Sequence, residues 1–223
     1  MSKFSVFLAL VMLLPAIFVY GEAIASTEGG RYYHDIREMV TDWQVSLRYL
    51  KEGNKRYLAG EGIQRDTYAE AREILKDGQK PFAVIVTCSD SRVAPEIYFD
   101  QRLGDIFVIR NAGNIADATA LGSIEFAVGH LKAPLVVVVG HSACGAVAGA
   151  LAEGAEFSKN LQAVINKIKP GVENIEDLDD AILANIKHVA EQIETNKVVV
   201  EMGATVLRAH YDITTGKVSF IGK

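Results

Sequence analysis

The chain has little cysteine. Among 223 residues there are only two, Cys88 and Cys144. That excludes a scaffold built on several disulfides in place of a core, since one bridge at most can form. Positive charge is also short: 23 Lys and Arg against 28 Asp and Glu leave a net charge of −5. A nucleic-acid binder is expected to carry a basic face, so nucleic acid is not expected as a partner. Internal repeats and low-complexity tracts are absent, which leaves out a solenoid and a flexible linker chain. What remains is 49% hydrophobic and 23% charged, the composition of a globular protein long enough for one sizeable domain.

Long apolar runs are scarce too, and the one that stands out is at the start. Residues 4–20 are apolar apart from Ser5 and are interrupted by Pro15, with Lys3 before them and Ala23-Ile24-Ala25 after. A basic start, an apolar stretch and a small-x-small site predict a signal peptide over 1–25, cleaved after Ala25, with a single domain over 26–223. No cysteine follows the apolar stretch, so a lipoprotein anchor is not expected. An uncleaved anchor is the alternative, but the run is near the short limit for spanning a bilayer. The expectation is an exported protein, periplasmic or secreted, with no stable membrane anchor after cleavage.

Export makes the cysteines a question. In an oxidising compartment two cysteines first suggest one disulfide. That reading leaves their surroundings unexplained. Cys88 opens Cys88-Ser89-Asp90-Ser91-Arg92 directly after the apolar run 82–87. Cys144 closes Gly140-His141-Ser142-Ala143-Cys144, followed by Gly145, after the apolar run 135–139. If the two strand ends are neighbours, Cys88, His141 and Cys144 can hold one zinc ion. Three protein ligands with an open fourth position are the arrangement of a catalytic zinc, whereas a structural zinc is usually closed by four. Bound zinc would also protect both thiolates from oxidation.

The hydrophobic pattern places these motifs. Spacings of three and four predict a helix over 35–59 (Ile36, Met39, Val40, Trp43, Leu47, Leu50, Tyr57), a short one over 70–76, and further helices over 119–131, 145–152 and 178–194. Strands are expected over 82–87, 105–109, 135–139, 205–212 and 218–221, the last two joined by a hairpin-like turn at Thr214-Thr215-Gly216. Alternating strands and helices imply an α/β fold with a mostly parallel central sheet, an N-terminal helical arm and a C-terminal strand pair. In such sheets ligands bind beyond the carboxyl ends of the strands, where both motifs begin.

Asp90 follows Cys88 by two residues and Arg92 follows Asp90 by two, so an extended segment would turn all three to one side. An Asp beside an Arg stays ionised and is a good acceptor, suited to orienting a zinc-bound nucleophile. An ordinary solvated ion pair is the bland alternative, and adjacency to Cys88 argues against it.

At this point the chain resembles the β-class carbonic anhydrases. The motifs Cys-Ser-Asp-Ser-Arg and Gly-His-Ser-Ala-Cys-Gly are similar to that family's two signatures. The flanks also match: Gly78-Gln79-Lys80-Pro81, then Phe107 to Asn114, then Tyr211-Asp212 and Thr215-Gly216-Lys217-Val218. The resemblance covers roughly Trp43 to Lys223. It implies reversible hydration of carbon dioxide to bicarbonate and a proton, with one zinc per chain held by Cys88, His141 and Cys144. It implies Asp90 and Arg92 as the catalytic dyad, Gln79 hydrogen-bonded to substrate, Phe107 and Ala112 as pocket walls, and the Gly145 N–H facing product. Gln79 and Phe107 would come from a neighbouring subunit, so a homo-oligomer, a dimer at least, is implied. Ile85, where a regulated subtype has Trp, and Gln79 imply the open, constitutively active subtype. A Tyr that the plant enzymes carry in an insertion after the Asn114 region has no counterpart in Ile115-Ala116-Asp117-Ala118.

Other readings weigh against this one. The same zinc can attack a related linear molecule such as carbon disulfide. A serine hydrolase elbow is nearly matched at Gly140-His141-Ser142-Ala143-Cys144, but its last glycine is replaced and no acid–histidine partners are evident. A non-catalytic exported zinc or redox protein would show no rate enhancement. His34, His130, His188 and His210 form no ligand-like cluster and are expected on surfaces or in packing. Arg110 is expected to support the bend at Asn111-Ala112-Gly113 or a subunit contact.

Overall fold

A computed structural model describes residues 40–63 and 68–222. The signal segment, His34 and residues 35–39 lie outside the described residues; the helix expected from Asp35 begins at Trp43, where the Asp42 side chain accepts the Gln44 N–H as its N-cap. Among those described, no helix is long and apolar enough to cross a membrane.

The strands follow from composition. β1 (Ala83–Cys88) and β3 (Leu135–His141) are rich in β-branched residues and buried at every position. Strands buried on both faces are those that parallel sheets place at their centre. β2 (Ile106–Asn111), β4 (Thr205–Tyr211) and β5 (Val218–Phe220) complete one five-stranded sheet of order β2-β1-β3-β4-β5. Its first four strands are parallel, and β5 returns antiparallel to β4 with Tyr211 opposite Val218.

Side chains alternate across this sheet, as a period of two requires. Val84, Val86, Val136 and Val138 face a layer made by α4 (Ala118–Glu125), α5 (Gly145–Leu151), α6 (Lys159–Ile168) and α7 (Leu178–Glu194). Ala83, Ile85, Val137 and Val139 face α1 (Trp43–Ala59) and α3 (Pro95–Tyr98). α2 (Tyr68–Leu75) precedes the sheet, and α8 (Lys197–Met202) leads into β4. The expected fold class therefore holds: helices on both sides of a mostly parallel sheet, with a helical arm before it and a strand pair at its end.

Local departures have physical causes. The helix expected over 119–131 is α4 followed by a π-helical turn, Phe126–His130, closed by the Leu131 N–H on the Phe126 carbonyl at 3.2 Å. α8 contains Val198-Val199-Val200, a run that favours strands. It is helical because the Asn196 side chain accepts the Val198 and Val199 N–H groups and Gly203 ends it at φ 66°.

What matters for the site is the strand order. β2 lies on one side of β1 and β3 on the other. This reversal opens a crevice beyond the carboxyl ends of β1 and β3, the ligand position of open α/β sheets. Thr87 pairs with Val139, so Cys88 and His141 leave neighbouring strands at the same edge.

Candidate active site

Each ligand candidate stands where a strand becomes a turn. Cys88 is the last residue of β1, and Ser89 extends the ladder by one bond to the Asn111 carbonyl at 3.0 Å. His141 is the last residue of β3. Between His141 and Cys144, Ala143 takes a left-handed φ of 53°, which turns the chain so that Cys144 caps α5. The Ser142 N–H bonds the Tyr211 carbonyl at 3.1 Å and its Oγ accepts the Ile213 N–H at 3.0 Å, tying this turn to the end of β4.

The result is convergence. One ligand atom each from Cys88, His141 and Cys144 lie within 4.8 Å of one another, and all three residues are buried. No other such group of three occurs among the described residues. Both thiols are free, so the structure shows the metal-type arrangement and not a disulfide. His141 Nδ1 lies 2.9 Å from the Ser142 carbonyl oxygen, which only accepts, so Nδ1 carries the proton. Nε2 is buried with no hydrogen-bond partner and presents its lone pair beside the two sulfurs. A buried imidazole nitrogen left unpaired is costly unless something binds there. Two thiolates and one imidazole are soft donors suited to zinc, and bonds of about 2.0–2.3 Å ask for only a small closing of the three atoms.

Electrostatics separate the cysteines. Hydrogen bonding from the Cys144 thiol holds the Cys88 thiol well below its usual range, helped by the Gly113 N–H. That N–H sits 3.4 Å from Cys88 Sγ. The Cys88 thiolate in turn pushes the Cys144 thiol up, reinforced by burial. The start of a helix favours a thiolate at Cys144, but α5 has only seven residues, and the neighbouring charge wins. Burial alone pulls the His141 pKa down, but the Cys88 thiolate beside it moves the net shift up. A dication at this point resolves the competition by taking the place of the shared protons.

Asp90 and Arg92 meet as expected, by a different route. The segment is a turn and not an extended strand: Asp90 Oδ1 accepts the Arg92 backbone N–H at 2.9 Å. Arg92 then closes a fork onto the same carboxylate, Nε to Oδ1 at 2.9 Å and Nη2 to Oδ2 at 2.7 Å. The Arg92 guanidinium holds the Asp90 carboxyl below the usual carboxylate range. Arg110 fastens this loop, donating from Nε to the Cys88 carbonyl at 3.1 Å and from Nη2 to the Asp90 carbonyl at 2.8 Å. Its role is to hold the end of β1.

Ala112 and Gly145 border the ligands. Ala112 precedes the glycine whose N–H meets Cys88, and Gly145 is the exposed first residue of α5 after Cys144. Ile115 packs in the same buried cluster as Cys88 and Cys144. Gln79 and Phe107 do not join the site within one chain. Gln79 is exposed ahead of β1, and Phe107 pairs with Val84, four residues before Cys88, roughly 13 Å along the strand at about 3.3 Å per residue. Beside Phe107 stands Phe126, with ring centroids 6.3 Å apart, and His130 packs on Phe126 at 5.5 Å. The sequence reading missed Phe126, because the π turn that aims it has no periodic signal. His188 bonds Gln192 and His210 is half-buried, its pKa lowered by burial. A cavity of about 880 Å³ between the ends of α5 and α6 is lined by none of the ligands.

A Cys-His-Cys centre at the switch point of a mostly parallel sheet, next to a clamped Asp, defines a class of α/β zinc-site proteins. Comparison with known proteins narrows it. The family model described as carbonic anhydrase matches residues 83–218. "Carbonic anhydrase 2" of Mycobacterium tuberculosis is 49% identical over 136 residues, 60% of this chain and 64% of that protein. A carbonic anhydrase of Mycolicibacterium smegmatis is 36% identical over 192 residues, 80% of this chain and 91% of that one. Among solved structures, a β-carbonic anhydrase from the filamentous ascomycete Sordaria macrospora, described as tetrameric, aligns with a TM-score of 0.64. It is 27% identical and covers 80% of this chain and 98% of its own. The matched stretch spans just under two thirds of the Mycobacterium tuberculosis protein. The chain belongs to the β-class carbonic anhydrase family.

Metal analysis of the purified protein is expected to give about one zinc per chain, as three-ligand catalytic sites hold one ion. Cys88→Ser and His141→Ala are expected to lose it. Retention of full zinc content by both variants would refute this ligand set.

Proposed function

We propose that this protein catalyses the reversible hydration of carbon dioxide to bicarbonate and a proton. The observation that carries the reading is the meeting of three soft donors with an ionised, clamped carboxylate at one sheet edge. When bound by Cys88, His141 and Cys144, zinc acts as a Lewis acid that makes a water nucleophilic at neutral pH. Two thiolates give the ion more charge than imidazoles would, so the chain's own polar groups carry more of the work. Asp90 accepts the hydrogen of the attacking group and orients its lone pair toward substrate. Arg92 keeps Asp90 charged and fixed through its fork. Ala112 and Ile115 offer the apolar wall that a small uncharged substrate needs, and the Gly145 N–H is available to a product oxygen. A stopped-flow hydration assay tests this. Asp90→Asn is expected to keep zinc and lose roughly 100-fold or more in turnover, the usual scale for a positioned proton-handling group. Wild-type turnover in that variant would remove Asp90 from the mechanism. With Ile85 and Gln79 as found, the open subtype is expected, so activity at moderately acidic pH with added bicarbonate declines gradually; a sharp cooperative shutdown would contradict it.

The site is completed by a second copy. Gln79 and Phe107 lie too far from the ligands of their own chain to serve them. Among the described residues nothing pairs with the outer edge of β2 nearest Phe107, and Ile106 to Ile109 are half-buried. Ile97, Leu103 and Tyr68 are exposed around a cavity of about 440 Å³ beside Ile106. An apolar, unpaired edge of this kind fits a symmetric homo-oligomer, a dimer at least. Mixing Asp90→Asn chains with Gln79→Ala chains and allowing exchange is expected to restore activity, because one site of each mixed pair is then intact. No recovery on proven exchange would place Gln79 outside the partner's site.

Export is part of the proposal. Lys3, the apolar run 4–20 and Ala23-Ile24-Ala25 support cleavage after Ala25 and a periplasmic or secreted mature chain. N-terminal sequencing of the native protein is expected to begin at Ser26; a start at Met1 in the cytoplasm would reverse this.

A further inference from the structure

α7 presents Ala181, Ile182, Ile186, Val189, Ala190 and Ile193 to the sheet, and among them a single amide, Asn185. Asn185 is 1% exposed. A buried amide on an aliphatic face costs stability unless its hydrogen bonds repay it. Its Nδ2 donates to the carbonyl of Gly113 at 3.0 Å, 72 residues earlier in the chain.

Gly113 is the residue whose N–H meets Cys88 Sγ at 3.4 Å. Its backbone is held in an unusual state, φ 73° and ψ 18°, which favours glycine. A Cβ there would also meet Ile168 Cδ1 at 2.5 Å. The turn therefore has an N–H aimed at the first ligand and a carbonyl with one side-chain donor, Asn185. Rotation of this turn would move both groups together.

We propose that Asn185 is a positioning residue for the metal centre, pinning the Gly113 turn so that its N–H stays on Cys88. The inference rests on Cys88 being a metal ligand, as in the function proposed above. Groups one step removed from a ligand, as the Gly113 N–H is, typically govern metal affinity by 10–100-fold, and Asn185 acts through that group. In Asn185→Leu the amide is replaced by an apolar group of similar volume. The Gly113 carbonyl loses its side-chain donor, the turn keeps the Asn111 Nδ2 bond to the Ile115 carbonyl at 2.8 Å, and its N–H is held less firmly on Cys88.

The test measures zinc competition against a chromophoric chelator, and the thiolate-to-metal charge-transfer band of the cobalt-substituted protein. Asn185→Leu is expected to lower zinc affinity about 10-fold, the lower end of the range for a group bonded to the ligand itself, and to shift that band. Asn185→Ser, which adds no bulk, is expected to do the same and serves if the leucine variant does not fold. Val189→Ala, on the same buried face but without a polar atom, is expected to lower thermal stability and leave affinity and band unchanged. Wild-type affinity and spectrum in a folded Asn185 variant overturn the proposal. So does an equal loss of affinity in Val189→Ala, which would reduce Asn185 to packing. Failure of the wild-type protein to bind zinc would instead overturn the ligand reading itself.

Discussion

The site depends on the parallel pairing of β1 with β3. Val84 to Thr87 lie against Val136 to Val139, and that ladder brings Cys88 to the edge where His141 ends. Everything chemical is suspended from this seam. A one-residue slip would turn Cys88 to the opposite face, because side chains alternate along a strand. Both strands are buried at every position, so the slip would also swap Val84 and Val86 with Ala83 and Ile85 between the two core faces. Register is thus secured by the core, and the ligands inherit their precision from it.

Around the seam the backbone supplies most of the remaining control. Arg110 takes the carbonyls of Cys88 and Asp90, Ser142 ties the second ligand turn to β4 and to Ile213, and the Gly113 N–H attends the Cys88 sulfur. The Asp90 carboxylate is oriented by a fork and a main-chain N–H on one side, which leaves little freedom for it to swing away. Rigid support of this kind matters more for two thiolates than for neutral ligands, since a misaligned buried thiolate is an uncompensated charge.

The central strands, the ligand triad and the Asp-Arg pair were legible in the sequence because each has a local signature: a charge-free valine run, a Cys or His at its end, a spacing of two. What was not legible arises from tertiary contact. The geometry of Asp90 and Arg92 comes from a turn that spacing alone reads as extended. α8 opposes the strand preference of its valines and exists through Asn196 and Gly203. Phe126 is aimed by a π turn that the helical period passes over. Asn185 could have been noticed as the lone amide on an apolar helix face, but nothing in the sequence names Gly113 as its partner.

The spacing of the ligands along the chain has a consequence for assembly. His141 and Cys144 are three residues apart and come together in one turn, whereas Cys88 joins them only after the chain has passed out through β2 and returned. Parallel pairings of this kind carry a loop-closure cost before any contact repays it. A partly folded chain holds His141 and Cys144 together by local structure, and the third donor is fixed in place only by the finished sheet. Zinc binding is thus linked to completion of the β1–β3 seam, and each bound ion stabilises the finished sheet over partly folded chains.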